Sequence, residues 1–291
     1  MNRRNFLALA AACAGSPAGA AEEIIDIHQH TNYSGRSDDA LVAHQRKLGI
    51  TRTILLPAGS KYGLAADAGG NDTVVALAKR HPGEFVYFAN ELPDIPEARP
   101  VLERFLKTGA IGIGEQKFPV DCDSPHMHLI AQIAQKFRVP VLMHFQHGAY
   151  NFGIERFHKM LEKYPRVNFI GHAQTWWSNI SKDADQTVMY PKGKVIRGGI
   201  TSRLLADYPN MYGDLSAGSG FNALDRDPEH AREFLIRFQN KLLFGSDCND
   251  SLGETEKCIG WKQLAQLRRL VPEAPVLGRI LAGNAKSLFA L

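Results

Sequence analysis

The sequence predicts a single α/β domain folded as a (β/α)8 TIM barrel. Three observations lead there. Eight short apolar, β-rich runs alternate with segments of helical periodicity. The run of units occupies about 270 residues, the size such a barrel needs. No Pro/Gly/Ser-rich linker interrupts it, so one domain over residues 21–291 is expected.

The strand-like runs are, in order, EIIDIHQ, TRTILLP, EFVYFAN, AIGIGEQKF, VPVLMHF, VNFIGHA, NMYGDLS and KLLFGSD. Each is followed by a helical pattern. In IERFHKMLEKY, for instance, Ile154, Phe157, Met160, Leu161 and Tyr164 fall on one face, the stripe of a helix lying on a sheet. A doubly wound open sheet is the rival architecture. It loses ground because no Gly-x-Gly-x-x-Gly follows the first strand.

Composition narrows the function classes. The chain has 291 residues, 44% of them hydrophobic and 22% charged, with a formal net charge of +4. That is ordinary globular chemistry, and the slight, scattered positive charge gives no reason to expect a nucleic-acid partner. No apolar run reaches the roughly 18 residues that span a bilayer.

Residues 1–20 resemble a cleavable export leader: Arg3 and Arg4, then Asn5, Phe6 and Leu7, an Ala/Leu stretch, and small residues at Ala18 and Ala20. The paired arginines read as a twin-arginine signal, which predicts a periplasmic or secreted protein with no membrane contact once the leader is removed. Lipidation at Cys13 is a weaker alternative, since no Leu stands three places before it. Cys122, Cys248 and Cys258 remain, an odd number; one disulfide is allowed, Cys122 with Cys248 among the choices. Homo-oligomerisation stays open.

Chemistry concentrates at the strand ends, where barrels of this kind carry their active sites. The first strand ends in His28 and His30, the fourth in Glu115 and Lys117, and the fifth in His144. The sixth ends in His172, the seventh in Asp214 and the eighth in Asp247. Strand alternation puts Asp26, His28 and His30 on one face. Three imidazoles and a carboxylate on one rim suit zinc or a similar divalent ion, which lowers the pKa of bound water toward about 7. His44, His81, His158 and His230 read as surface or helix-packing residues, and His126 and His128 as capping or exposed.

His28 and His30, His144 in VLMHF, His172 in FIGHA, Asp247 in LFGSD and the closing ILAGNAKSLFAL together resemble the amidohydrolase superfamily. The nearest branch is the amidohydrolase-related group, which includes aminocarboxymuconate-semialdehyde decarboxylase. The resemblance implies that His28, His30, His144 and Asp247 hold a divalent metal, most simply Zn2+. It implies catalytic roles for His172, which orients or deprotonates water, and for Asp247, which shares proton transfer. By analogy with two-metal relatives, Glu115 is a candidate ligand to a second ion; the alternative is a buried ion pair with Lys117. Lys117 is a candidate for meeting an anionic substrate group. Trp176 and Trp177, just past His172, are expected at the pocket mouth, and His147 is a further substrate contact. The expected activity is hydrolysis of a small amide, lactone or ester; the alternative is non-oxidative decarboxylation of a small aromatic or unsaturated acid.

Overall fold

A computed structural model describes residues 22–59, 68–253 and 257–291. Residues 1–20, the segment expected to be a leader, and Cys13 within it lie outside the described residues. The strands are β1 (Ile25–Gln29), β2 (Arg52–Leu55), β3 (Phe85–Tyr87), β4 (Ile113–Gln116), β5 (Val141–His144), β6 (Phe169–His172), β7 (Met211–Asp214) and β8 (Leu242–Leu243). Each falls inside the run predicted for it. The helices are α1 (Asp38–Lys47), α2 (Asn71–Arg80), α3 (Ala98–Lys107), α4 (Pro125–Phe137), α5 (His158–Lys163), α6 (Gln174–Ser178) and α7 (Ile200–Asp207). They continue with α8 (Ala217–Asp225), α9 (Pro228–Arg237), α10 (Ile259–Leu270), α11 (Ala274–Gly278) and α12 (Asn284–Phe289).

All strand pairs are parallel and run in chain order, β1 to β3 and β4 to β8. An Ala89–Ile113 bridge joins β3 to β4, and the Ile27 amide donates to Phe244 O at 3.1 Å, joining β1 to the segment after β8. The sheet is thereby closed, the (β/α)8 barrel of the sequence reading.

Two cores follow from strand alternation. Outward side chains such as Val141, Met143, Phe169 and Met211 pack under the helices. Inward side chains Ile25, Ile27, Ile54, Leu56, Phe88, Leu142, Ile170 and Leu243 fill the barrel, plugged from one end by Ala282, Ala285 and Phe289. Burial of each large aliphatic side chain contributes about 1.5–3 kcal/mol.

Helix starts are chosen by local chemistry. Ser37, Ser124 and Asp227 accept the amides of Ala40, Met127 and His230, capping α1, α4 and α9. Each cap is worth about 1 kcal/mol. In the run VIRGGITSRLLADYP, α7 begins only at Ile200. Gly199 precedes it because a Cβ there would lie 2.2 Å from Asn179 O.

Candidate metal centre

Inward-facing residues one step beyond the apolar filling form the centre. His144 follows Leu142, His172 follows Ile170, and Asp214 follows Tyr212, each two residues on and therefore on the same face. β1 departs from this rule. Its register with β2 shifts between Asp26 and Gln29, so Asp26 and the two histidines do not share a role. Asp26 accepts from Gln45 Nε2 of α1 at 2.9 Å and from the Ser246 amide at 2.9 Å. His28 and His30 meet at the barrel mouth with their Nε2 atoms 3.2 Å apart.

Each imidazole has its tautomer set by the partner of its other nitrogen. His30 Nδ1 donates to Leu56 O at 2.7 Å, and a carbonyl can only accept. His28 Nδ1 donates to Asp214 Oδ2, also at 2.7 Å. Both Nε2 lone pairs are left free. His172 Nδ1 reaches the same Asp214 oxygen at 3.2 Å and Ser216 Oγ at 3.1 Å. Asp214 is fixed in turn by the Ser216 hydroxyl at 2.8 Å and the Ser216 amide at 2.9 Å. Gly245 makes this convergence feasible, because a Cβ there would stand 2.6 Å from Asp214 Oδ1.

Two carboxylates complete the set. Asp247 Oδ1 lies 3.8 Å from His28 Nε2 and 3.5 Å from His30 Nε2; Glu115 Oε2 lies 3.7 Å from each. Four donors held at metal bonds of about 2.0–2.2 Å in a tetrahedron sit about 3.4 Å apart. The observed spacings of 3.2–3.8 Å bracket that value. Asp247 Oδ1 is also buried with no hydrogen-bond partner, a costly condition that a cation would relieve. The residues fit a divalent ion.

Asp247 is held at φ 47°, the left-handed region, by its amide donating to His28 O at 2.8 Å. A non-glycine residue there costs about 1–3 kcal/mol, a cost often met at functional sites.

The other Glu115 oxygen faces a second group. Oε1 accepts from His144 Nδ1 and lies 3.5 Å from His172 Nε2. This revises the sequence expectation for His144, whose contacts run to Glu115 and to Gln146 Oε1 at 3.1 Å, not to His28 and His30. A bulged β4, whose register with β5 shifts between Ile113 and Gln116, brings the Glu115 carboxylate between the two sets.

Electrostatics follow from the burial of these charges. Burial disfavours the His28 imidazolium, but Asp247 and Asp214 outweigh it and raise its pKa well above the ordinary value. Burial likewise opposes the charge on Asp214, and His28 with His172 overcomes it, leaving that carboxyl well below its usual range. Asp247, largely withdrawn from water at 13% exposure but beside His28 and His30, is pushed down to about 2. For His144 burial wins over Glu115, and the pKa falls, favouring the neutral ring.

Trp176 and Trp177 correct the sequence reading. They are 0% and 1% exposed, in the layer beneath the helices, not at the mouth. Trp176 occupies the space over Gly171, where a Cβ would lie 2.4 Å from the indole, and Trp177 Nε1 donates to Asp214 O at 2.9 Å. The short helix α6 turns both side chains inward immediately after β6. Lys117 stays at the rim with its ammonium 5.6 Å from the Tyr150 ring centre. His147 is exposed and lines an open cleft of ≈ 650 Å³ with Gln146, Thr175 and Asp185. Through Gln146 that cleft abuts His144.

Three contributors escaped the sequence reading. Tyr33 packs edge-on against His30 at 5.0 Å, and the nearby Asp247 charge together with burial raises its pKa. Arg36 donates to Cys248 O at 2.7 Å and to Gln29 Oε1 at 2.5 Å, tying the loop after β8 to β1. Asn90 Nδ2 donates to Glu115 O at 2.7 Å. None had a signal in spacing, since each acts through partners distant in sequence. The pairing of Cys122 with Cys248 is also corrected: all three described cysteines are free, and the Cys122 thiol donates to Gly153 O at 3.0 Å.

The family described as "Amidohydrolase" matches residues 25–291. Among solved structures, a probable 2-pyrone-4,6-dicarboxylic acid hydrolase from Acinetobacter baumannii, with citric acid bound, is 12% identical. It covers 92% of this chain and 100% of its own at a TM-score of 0.64. The 2,6-dihydroxybenzoate decarboxylase from Rhizobium is 14% identical (92% and 99% covered, TM-score 0.57). The 5-carboxyvanillate decarboxylase from Sphingomonas paucimobilis is 13% identical (89% and 85% covered, TM-score 0.57). At these identities the likeness is one of fold. No curated protein sequence matches the chain.

Proposed function

Because the chain belongs to the amidohydrolase family, we propose that it is a metal-dependent hydrolase attacking the carbonyl of a small amide, lactone or ester. The observation carrying this reading is the Glu115 carboxylate, which divides two donor sets. Oε2 faces His28, His30 and Asp247; Oε1 faces His144 and His172. His28, His30, Asp247 and Glu115 would hold one divalent ion, zinc by the donor types; His144, whose Nδ1–H is given to Glu115 Oε1, and His172 would flank it. Such an ion polarises the substrate carbonyl and makes water acidic enough to attack at neutral pH.

The protein's own residues do the rest. Asp214 keeps His28 and His172 oriented, and its low pKa keeps it a charged acceptor. Asp247, ionised down to about pH 2, presents Oδ2 3.8 Å from His172 Nε2, where it takes the proton of the attacking water and returns it to the leaving group. Lys117 and His147 receive the substrate at the rim, Lys117 meeting an anionic group.

A second reading, non-oxidative decarboxylation, draws support from the two decarboxylases sharing the fold. One experiment separates the two. Zinc-loaded protein is incubated with lactones, esters, amides and aromatic acids in heavy-oxygen water. Label in a carboxylate product supports the hydrolase; carbon dioxide released with no labelled carboxylate product overturns it. The twin-arginine leader supports export of the folded enzyme, which fractionation of expressing cells tests.

A further inference from the structure

A second group of metal-binding side chains lies behind Asp247. His44 on α1, Cys248 after β8 and Cys258 at the start of α10 bring Nε2 and two Sγ atoms together, all within 4.8 Å of one another. His44 Nε2 is 3.2 Å from Cys258 Sγ, and the two sulfurs are 3.3 Å apart. The residues are 0%, 2% and 0% exposed. Read from sequence, His44 was a surface or helix-packing residue; its ring instead faces two thiols.

The arrangement is built from outside. Gln45 Nε2 donates to Asp26 Oδ2 at 2.9 Å and to Thr53 Oγ1 at 2.8 Å, which fixes its amide with Oε1 turned to His44. His44 Nδ1 donates to that oxygen at 2.9 Å. The other ring nitrogen is therefore a bare lone pair directed at sulfur, the orientation that outer hydrogen bonds give to metal-ligating histidines. The Trp261 amide donates to Cys258 Sγ at 3.4 Å from the first turn of the twelve-residue α10. Space is tight: a Cβ on Gly253 would stand 3.0 Å from His44 O, and one on Gly260 would stand 3.7 Å from Cys258 Sγ. A disulfide would use the two sulfurs and leave the oriented imidazole without purpose.

We propose that His44, Cys248 and Cys258 form a binding site for a thiophilic divalent cation of the zinc class, distinct from the centre at the barrel mouth. Two thiolates and one imidazole are an established zinc donor set, with one position left for an oxygen ligand. Binding displaces the two thiol protons to solvent. The ion would pin the segment carrying Asp247 to α1 and α10, complementing Arg36, which holds Cys248 O and Asp250 O at 2.7 and 2.9 Å.

The test uses the full chain, reduced, stripped of metal and titrated with cobalt(II). A thiolate-to-cobalt charge-transfer band in the near ultraviolet is expected. The mouth centre cannot produce it, because its donors are only nitrogen and oxygen. In Cys258→Ser the band disappears and elemental analysis of the zinc-loaded protein falls by one ion per chain. Should that variant fail to fold, zinc-loaded wild-type protein is exposed to iodoacetamide. Protection of Cys248 and Cys258, lost on chelation, supports the site. Cobalt-loaded wild-type protein without the near-ultraviolet band overturns it, as does an intact mass showing Cys248 joined to Cys258 in protein purified without reductant. Activity plays no part in these readouts, so the outcome is separable from the fate of the hydrolase reading.

Discussion

Leu142 and His144 stand two residues apart on β5 and face the same interior, yet they belong to different materials. Leu142 is part of an apolar floor; His144 belongs to a polar mouth in which its neighbours are hydrogen-bonded. The same step separates Ile170 from His172 and Tyr212 from Asp214. The floor is held by burial, which is non-directional and tolerates changes of shape. The mouth is held by directed contacts among charges whose desolvation opposes folding. One strand therefore supplies stability and chemistry in adjacent layers, and the two should fail in different ways.

The largest expected effect is at the mouth. Asp247→Asn removes the ionised acceptor and a metal donor, and kcat/KM should fall by roughly 10³-fold or more. In metal-stripped protein the Tm should fall only modestly at neutral pH, because the lost pairing of the carboxylate with His28 and His30 is partly offset by relief of its desolvation. Steady-state kinetics beside calorimetry check this; a large loss of Tm would mean that the mouth, too, is structural. Leu142→Ala should do the reverse. It should lose about 3 kcal/mol in urea unfolding, with activity per folded molecule close to wild type.

Much of this division was legible in the sequence. The eight strand runs, and the way His144, His172, Asp214 and Asp247 close apolar stretches, depend only on alternation within one strand. What failed depended on the third dimension. Strict alternation aligned Asp26 with His28, and a register shift undid it. Trp176 and Trp177 looked like mouth residues because they follow β6, but Gly171 opens a buried slot for the first of them. Glu115 was read as a donor to a second ion or as the partner of Lys117 in a buried ion pair; its two-sided position appears once β4 is bent against β5. Asp214 closes the seventh strand in the sequence; that it supports two histidines appears only in three dimensions.

That shared support gives the third prediction. Asp214→Asn should weaken zinc binding about 10- to 100-fold, the usual effect of removing a carboxylate behind ligand histidines, as read by competition with a chromophoric chelator. A fourth concerns pH in metal-stripped protein. His28 has a raised pKa in the fold, so its charged form stabilises below its ordinary value of 6.5, and that contribution is lost as pH rises through the folded-state value. Asp247 has the opposite sign: its contribution is present above 3.8 and lost as pH falls toward about 2. The Tm in chelator should therefore decline on the alkaline side of 6.5, and added zinc, which binds the neutral ring, should restore it. A Tm in chelator that climbs above that pH would contradict the pairing of His28 with Asp214 and Asp247.

The smallest effect sharpens the boundary between the layers. Ser216 touches no proposed metal donor through a charge, but its hydroxyl donates to Asp214 Oδ2 at 2.8 Å and lies 3.1 Å from His172 Nδ1. Ser216→Ala leaves the Ser216 backbone amide bond to Asp214 Oδ1 in place. One neutral hydrogen bond is worth about 1 kcal/mol, so zinc affinity should weaken roughly fivefold, well short of Asp214→Asn. Stability should move by a similar small amount, because the methyl group fills nearly the same buried space. A double variant with Asp214→Asn should lose little more than Asp214→Asn alone, since the hydroxyl acts through that carboxylate. Additive losses would mean that Ser216 supports His172 directly, and the mouth would then rest on two independent supports in place of one.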